Sequence, residues 1–132
     1  MDKEKAIATV KQIYADVAAK NLEAVLSSLT DDIKWEPPYT PDIPHTKIRS
    51  GKDGVKEWVI EMASEVSYTQ VVPQAIYADA DTVIVKGFFD GKANNTGKPF
   101  HSDWIHLWEF RNGKVCHYQA FWNTSNVANA LR

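Results

Sequence analysis

The sequence predicts a single α+β domain over residues 1–132, with an antiparallel sheet and helices gathered on one side of it. Two observations predict this class. Apolar residues recur at three- and four-residue spacing in the first half of the chain, and from Tyr68 onward the spacing changes to two. A length of 132 residues suits one domain, and 44% apolar with 24% charged residues is typical of globular proteins.

Three helices are predicted in the first half. The first carries an apolar face at positions 7, 10, 13, 14 and 17, and Asn21 ends that pattern. The second is shorter and covers 22–29. A short strand over 33–36 is stopped by Pro37 and Pro38, because proline cannot donate to a strand ladder. A long loop over 37–54 precedes the third helix, whose apolar face includes Trp58 and Met62.

Four strands are predicted in the second half, at about 68–78, 82–91, 98–111 and 114–123. Asn112-Gly113 between the last two is a strong hairpin signal, because both residues tolerate positive φ. A short helix over 127–131 ends the sequence.

The charge balance excludes several classes of partner. Fifteen Lys and Arg residues stand against 17 Asp and Glu, so the net charge is −2, and we expect no nucleic-acid partner. The single cysteine, Cys116, cannot form an internal disulfide. No apolar run approaches the ~20 residues that span a bilayer, and the first residues are polar, so we expect no membrane association and a cytoplasmic location.

The longest strand has two faces that both carry large apolar groups. Placing His101 and Asp103 toward the helices leaves Trp104 and Trp108, with Phe121 of the next strand, on the opposite side. Such an exposed aromatic patch predicts a homodimer joined sheet to sheet. The alternative is that helices or the C-terminal segment cover both faces.

Asp103 is the candidate functional carboxylate. In a segment that otherwise reads as buried, its side chain must be neutral, paired or catalytic, since an isolated buried charge is costly. The alternative is a structural Asp hydrogen-bonded to backbone or to a tyrosine.

Several motifs together resemble the nuclear transport factor 2-like superfamily, and within it the SnoaL-like polyketide cyclase and ketosteroid isomerase branch. They are the helix–helix–strand–helix order, Ile33-Lys34-Trp35-Glu36-Pro37, Gly51-Lys52-Asp53-Gly54 and the strand Trp104–Phe110. The resemblance implies a cone: a curved antiparallel sheet wrapped around the three helices of the first half, with an apolar pocket.

The resemblance also implies catalytic residues. Asp103 stands where ketosteroid isomerases donate a hydrogen bond to the developing enolate, and where SnoaL-like cyclases keep an acid/base with a histidine two residues earlier, here His101. Glu36 stands where the isomerases keep the proton-moving Asp, although alternation turns it outward if Trp35 faces inward. Tyr14 lies one residue beyond the position of the isomerases' helical tyrosine.

The predicted site is an apolar pocket for a small, flat hydrophobic ligand, with proton transfer beside a carbonyl as its chemistry. This chemistry needs neither metal nor organic cofactor. Two alternatives remain: a non-catalytic ligand-binding module, and a dimerisation module whose interior is filled by side chains. The polar pair is His101 and Asp103, and the predicted lining is Tyr14, Trp35, Trp58, Met62, Tyr118 and Trp122.

The remaining histidines are weaker candidates. His106 and His117 fall on one predicted face of neighbouring strands, where two imidazoles could share a metal, although no third ligand is visible. His45 lies in the Pro-rich loop and is expected either in solvent or as a lid residue over the pocket.

Overall fold

The computed structural model describes residues 2–132 as one sheet with four α-helices. The helices are α1 (Lys3–Ala18), α2 (Leu22–Ser27), α3 (Gly51–Glu65) and α4 (Thr124–Leu131), and a short 3-10 helix covers Pro44–Thr46. The strands are β1 (Leu29–Glu36), β2 (Arg49–Ser50), β3 (Val66–Asp79), β4 (Thr82–Ala93), β5 (Pro99–Arg111) and β6 (Lys114–Trp122).

Side-chain caps begin three of the helices. The Asp2 side chain accepts a hydrogen bond from the Glu4 backbone at the start of α1, and Asn21 and Asn123 accept equivalent bonds at α2 and α4. Lys20, with φ of 57°, turns the chain between α1 and α2. The helices predicted in the first half are confirmed, and the terminal helix begins earlier than expected.

The sheet is curved and mixed, with strand order β2-β1-β6-β5-β4-β3. The four long strands pair antiparallel where they are neighbours, as predicted. The expectation of a wholly antiparallel sheet is wrong, because β1 pairs with β6 in parallel. The predicted hairpin is confirmed: Asn112 and Gly113 both have positive φ, at 51° and 80°.

The long loop is more ordered than its proline content suggests. It contains the 3-10 helix and the two-residue strand β2, which pairs with β1. The Thr46 hydroxyl donates to the Ile43 backbone oxygen at 2.6 Å and accepts from the Thr40 backbone N–H at 3.0 Å. Ile43, His45 and Thr46 are consequently buried.

The core lies between the helices and the concave face of the sheet. Helix α1 crosses β3 and β4, α3 crosses β1, and α4 packs on β4 and β5. One face of β4, β5 and β6 is therefore buried and the other faces solvent, whereas β3 has a single buried residue, Val66. Within residues 2–132, no helix combines the length and apolar character that a membrane-spanning segment requires.

Candidate functional site

Aromatic rings fill the interior between the sheet and the helices α1 and α3. The Trp35 ring stacks on Tyr118 with centroids 4.0 Å apart, and the His106 imidazole stacks on Trp104 at 3.8 Å. Strands β1, β5 and β6 and the two helices all contribute to this aromatic cluster, which consists of Tyr14, Trp35, Trp58, Trp104, His106, Trp108 and Tyr118.

Tyr14 is the centre of a hydrogen-bonded group inside the cluster. Its oxygen lies 2.7 Å from His106 Nδ1 and accepts a hydrogen bond from Trp108 Nε1 at 3.2 Å. A phenol has one proton, and His106 Nδ1 is the acceptor that it reaches. We therefore assign the proton to Tyr14, which leaves Nδ1 bare and the His106 proton on Nε2.

Burial keeps both members of this pair neutral. Desolvation lowers the pKa of His106 to about 3, because the charged imidazolium loses water without gaining an anion. Desolvation also raises the pKa of Tyr14 above its usual range, and the hydrogen bond from Trp108 opposes this only in part. At neutral pH the pair is thus a phenol donating to a neutral imidazole.

Three indole N–H groups of the cluster are buried and have no hydrogen-bond partner within residues 2–132. They belong to Trp35, Trp58 and Trp104. Leaving a buried donor unpaired costs about 1–3 kcal/mol, so most such groups in proteins have a partner. The interior therefore offers several donors to any acceptor that enters it.

The predicted pocket lining does gather at the interior. Tyr14 faces the sheet, which resolves its uncertain orientation one residue beyond the isomerases' tyrosine. All of the predicted side chains belong to the core or pack against it: Tyr14, Trp35, Trp58, Met62, Tyr118 and Trp122. Their role in binding a substrate stays a prediction.

Asp103 and His101 point away from this interior, so their expected placement as its polar pair is wrong. Their side chains are 81% and 58% exposed on the convex face. His101 Nδ1 lies 2.7 Å from Asp90 Oδ1, and its Nε2 lies 3.8 Å from Asp103 Oδ1. The buried carboxylate on which an acid/base role for Asp103 depends is absent at this position.

The two tryptophans expected on the dimer face are in the core instead, because the inward and outward faces of β5 are exchanged relative to the prediction. Trp104 and Trp108 are 1% and 2% exposed. Trp104 pairs across the sheet with Gly87, where an added Cβ would lie 2.4 Å from its ring. Phe121, 48% exposed, does lie on the convex face, opposite Ile105.

Glu36 also points away from the aromatic cluster, as alternation along β1 predicts. Its carboxylate lies 2.7 Å from Lys34 Nζ and 3.5 Å from His117 Nε2. The hydrogen bond from Lys34 lowers the pKa of Glu36, which makes it a weaker base. His117 and His106 therefore lie on opposite faces of the sheet and cannot share a metal ion.

His45 is a functional candidate whose burial was not foreseen. It is 1% exposed, which contradicts the expectation of a loop histidine in solvent. Its Nδ1 lies 2.6 Å from Glu65 Oε1. The sequence also made His106 only a weak candidate. It shares one face of β5 with Trp104 and Trp108, so it is inside once the inward face of β5 is known.

Two surface cavities lie apart from the aromatic cluster. One of about 70 Å³ lies between the loop and α4, and one of about 250 Å³ lies between Pro44, Glu65 and Leu131. None of the predicted site residues lines either cavity. Aromatic rings pack against one another where the pocket was expected, and Trp58, Met62 and Trp122 at the edge of this packing are half-buried.

Comparisons with known proteins agree with this architecture. The chain is 26% identical over 130 residues to the protein YesE of Bacillus subtilis (strain 168), which covers 97% of this chain and 88% of that protein. It superposes on an NTF2-like protein from Burkholderia xenovorans LB400 with a TM-score of 0.90 and 22% identity, covering 100% and 99% of the two chains.

A third comparison is with TerC, co-crystallised with polyporic acid. It superposes with a TM-score of 0.87 and 20% identity, covering 96% of this chain and 98% of TerC. These two structural likenesses establish the fold. The family itself is shown by the sequence, because the SnoaL-like domain matches residues 10–118. With most of its length matched in this way, the chain belongs to the SnoaL-like domain family.

Proposed function

We propose that this SnoaL-like chain binds a flat hydrophobic carbonyl compound inside the cone and promotes isomerase- or cyclase-type proton transfer beside that carbonyl. The observation that carries the proposal is the set of unpaired indole donors of Trp35, Trp58 and Trp104 in an apolar interior. A carbonyl oxygen accepts hydrogen bonds and donates none, so it fits a site that offers donors.

The Tyr14–His106 pair supports the chemical half of the proposal. With Nδ1 occupied by the Tyr14 proton, His106 carries its own proton on Nε2. A neutral imidazole is a useful electrophile beside a carbonyl, since it polarises the oxygen without protonating it in the ground state. Negative charge that develops on an enolate oxygen strengthens such hydrogen bonds.

A relative supports the choice of ligand class. TerC, which shares this fold, was co-crystallised with polyporic acid. We therefore choose polyporic acid as the first binding probe, and follow binding by quenching of tryptophan fluorescence. For the chemistry, 2-tetralone serves as a flat ketone whose α-proton exchange with D₂O reports enolisation.

Two variants separate the interior from the convex face. Trp104→Phe keeps a ring over Gly87 but removes one donor, and we expect it to weaken probe binding by about three- to tenfold, the value of one hydrogen bond. Asp103→Asn is the matched control, because its side chain lies in solvent, and it should leave affinity and exchange unchanged. Equal effects of the two variants, or no binding by the native protein, would refute the interior site.

The competing function is a non-catalytic binding module of the same fold. It predicts probe binding with no acceleration of α-proton exchange. Aromatic rings fill the interior, so the structure has no permanently open pocket there, and this favours the binding module. The same pair of assays therefore decides between the two functions.

The sheet-to-sheet homodimer also stays a proposal, carried by different residues. An apolar stripe crosses the convex face of β4, β5 and β6 and consists of Ile84, Ile105, Leu107 and Phe121. A second copy of this chain suits the stripe: the charges of Lys34–Glu36 and His101–Asp90 at its borders are paired within the chain, whereas Lys86, directly opposite Ile105, has no ion pair within residues 2–132 and must lie away from the two-fold axis. In a two-fold interface the same patch of the two copies is in contact with itself, so an unpaired charge near the axis would face the identical charge of the other copy and be repelled.

A further inference from the structure

His45 and Glu65 form a buried pair that the Tyr14–His106 chemistry does not use. One carboxylate oxygen of Glu65 accepts both from the His45 backbone N–H at 3.2 Å and from His45 Nδ1 at 2.6 Å. An ionised carboxylate has no proton to donate, so each group that hydrogen-bonds to it must be a donor. Nδ1 therefore carries the imidazole proton, and Nε2 is left with a bare lone pair.

Nε2 of His45 is buried and has no hydrogen-bond partner within residues 2–132. The two nitrogens lie at different edges of the imidazole ring, so Nε2 faces away from Glu65. Burial lowers the pKa of His45, and the neighbouring carboxylate of Glu65 opposes that effect. His45 is thus a neutral base whose ring is oriented by a carboxylate, an arrangement that positions bases in enzymes.

Helix α3 connects this pair to the aromatic cluster. Trp58 and Glu65 are seven residues apart, so they lie on one face of the helix, two turns or about 10 Å from each other. The Trp58 ring packs on Trp35 at 5.3 Å, and Met62 lies between the two turns and packs on the core. Glu61, three residues from Trp58 on the same helix, is close enough to His45 for its charge to raise the pKa of the imidazole, so His45 lies beside this stretch of α3 and not only beside its end.

The cluster and the pair offer complementary groups. Trp35 and Trp58 present donors, whereas His45 presents a lone pair. The other charged groups close to His45 are Arg49 and Glu61, which lie 3.2 Å from each other and act on the pKa of His45 in opposite directions.

We propose that His45 is the catalytic base: its Nε2 removes the proton from the carbon next to the carbonyl of a flat, fused-ring ketone. This inference rests on the proposed function and assigns its base. The electrons of the C–H bond form the enolate C=C, and the carbonyl oxygen takes the negative charge and accepts from indole donors. The imidazolium, held by the Glu65 carboxylate, then returns the proton to the same or a conjugated carbon, so no other reactant is consumed.

The test measures α-proton exchange of 2-tetralone in D₂O by the full-length protein, alongside binding by tryptophan fluorescence. His45→Gln should slow exchange by about 100-fold or more, the value of a general base, while binding persists. Glu65→Gln should slow it by a smaller factor, because the amide oxygen still accepts from Nδ1–H but no negative charge stabilises the imidazolium. His101→Gln, the same substitution at an exposed histidine, is the matched control and should change nothing.

The outcomes distinguish failure of the role of His45 from failure of the proposed function. Exchange that persists in His45→Gln, or native protein that binds 2-tetralone without accelerating its exchange, overturns the role of His45. Absence of both binding and exchange overturns the proposed function as well. If His45→Gln fails to fold, ¹⁵N NMR of the native protein still tests the assignment: a protonated Nε2 on neutral His45 would overturn it.

Discussion

Acid should destabilise this protein through His106, by an amount that the structure allows us to estimate. The unfolded imidazole titrates near its ordinary pKa of 6.5, whereas burial lowers the folded pKa to about 3. Between these values the unfolded state binds a proton that the folded state does not, so stability falls as the pH falls. For this one group, moving from pH 7 to pH 5 lowers the free energy of unfolding by about 2 kcal/mol.

The comparison is between the native protein and His106→Gln. Glutamine keeps an acceptor for the Tyr14 proton but does not titrate, so the variant should lack this part of the pH dependence. Other titrating groups, including His45, whose pKa is also lowered by burial, contribute equally to both proteins and cancel in the difference.

Urea unfolding followed by tryptophan fluorescence at pH 7, 6 and 5 measures the effect. We expect the native protein to lose about 2 kcal/mol more than the variant over this range. If both lose the same free energy to within about 0.5 kcal/mol, the inference that His106 is buried and neutral is refuted.

Two further predictions test the inward and the outward face of the sheet. Gly87→Ala should cost about 1–3 kcal/mol in urea unfolding, because the added methyl group would lie 2.3 Å from the Val72 oxygen and 2.4 Å from the Trp104 ring; an unchanged midpoint would contradict the close approach. Phe121→Asp should convert a dimer to a monomer in sedimentation velocity while its circular dichroism is kept, since Phe121 borders Ile105 on the convex face. A native protein that is monomeric at micromolar concentration would rule the dimer out.

Parts of the candidate site could be predicted because they depend on identity and local spacing. The apolar side of the first helix leads to Tyr14, and alternation around Trp35 correctly turns Glu36 outward. Alternation along β5 identifies its two sets of residues but not which set is inside. Both sets contain large apolar groups, and the resemblance to ketosteroid isomerases favoured the set with Asp103.

The signal that decides this orientation is a relation between two strands. Gly87 and Gly91 on β4 leave room for the rings of Trp104 and Phe100 on β5, which are their cross-strand partners. The two glycines are four residues apart on β4, and the two aromatic residues are four apart on β5. This match indicates the inward face only when the register of the two strands is known. Once Trp104 lies over Gly87, every second residue of β5 is inside and Asp103 is outside.

The α+β class, the order of the long elements and the wealth of aromatic residues followed from the amino-acid sequence alone, because periodicity and turn chemistry act between residues close in the chain. Tertiary structure alone decided the parallel pairing of β1 with β6, the inward face of β5 and the burial of His45 against Glu65. Each of these joins segments distant in sequence, and the free energy that selects them comes from packing and desolvation, which no local pattern records.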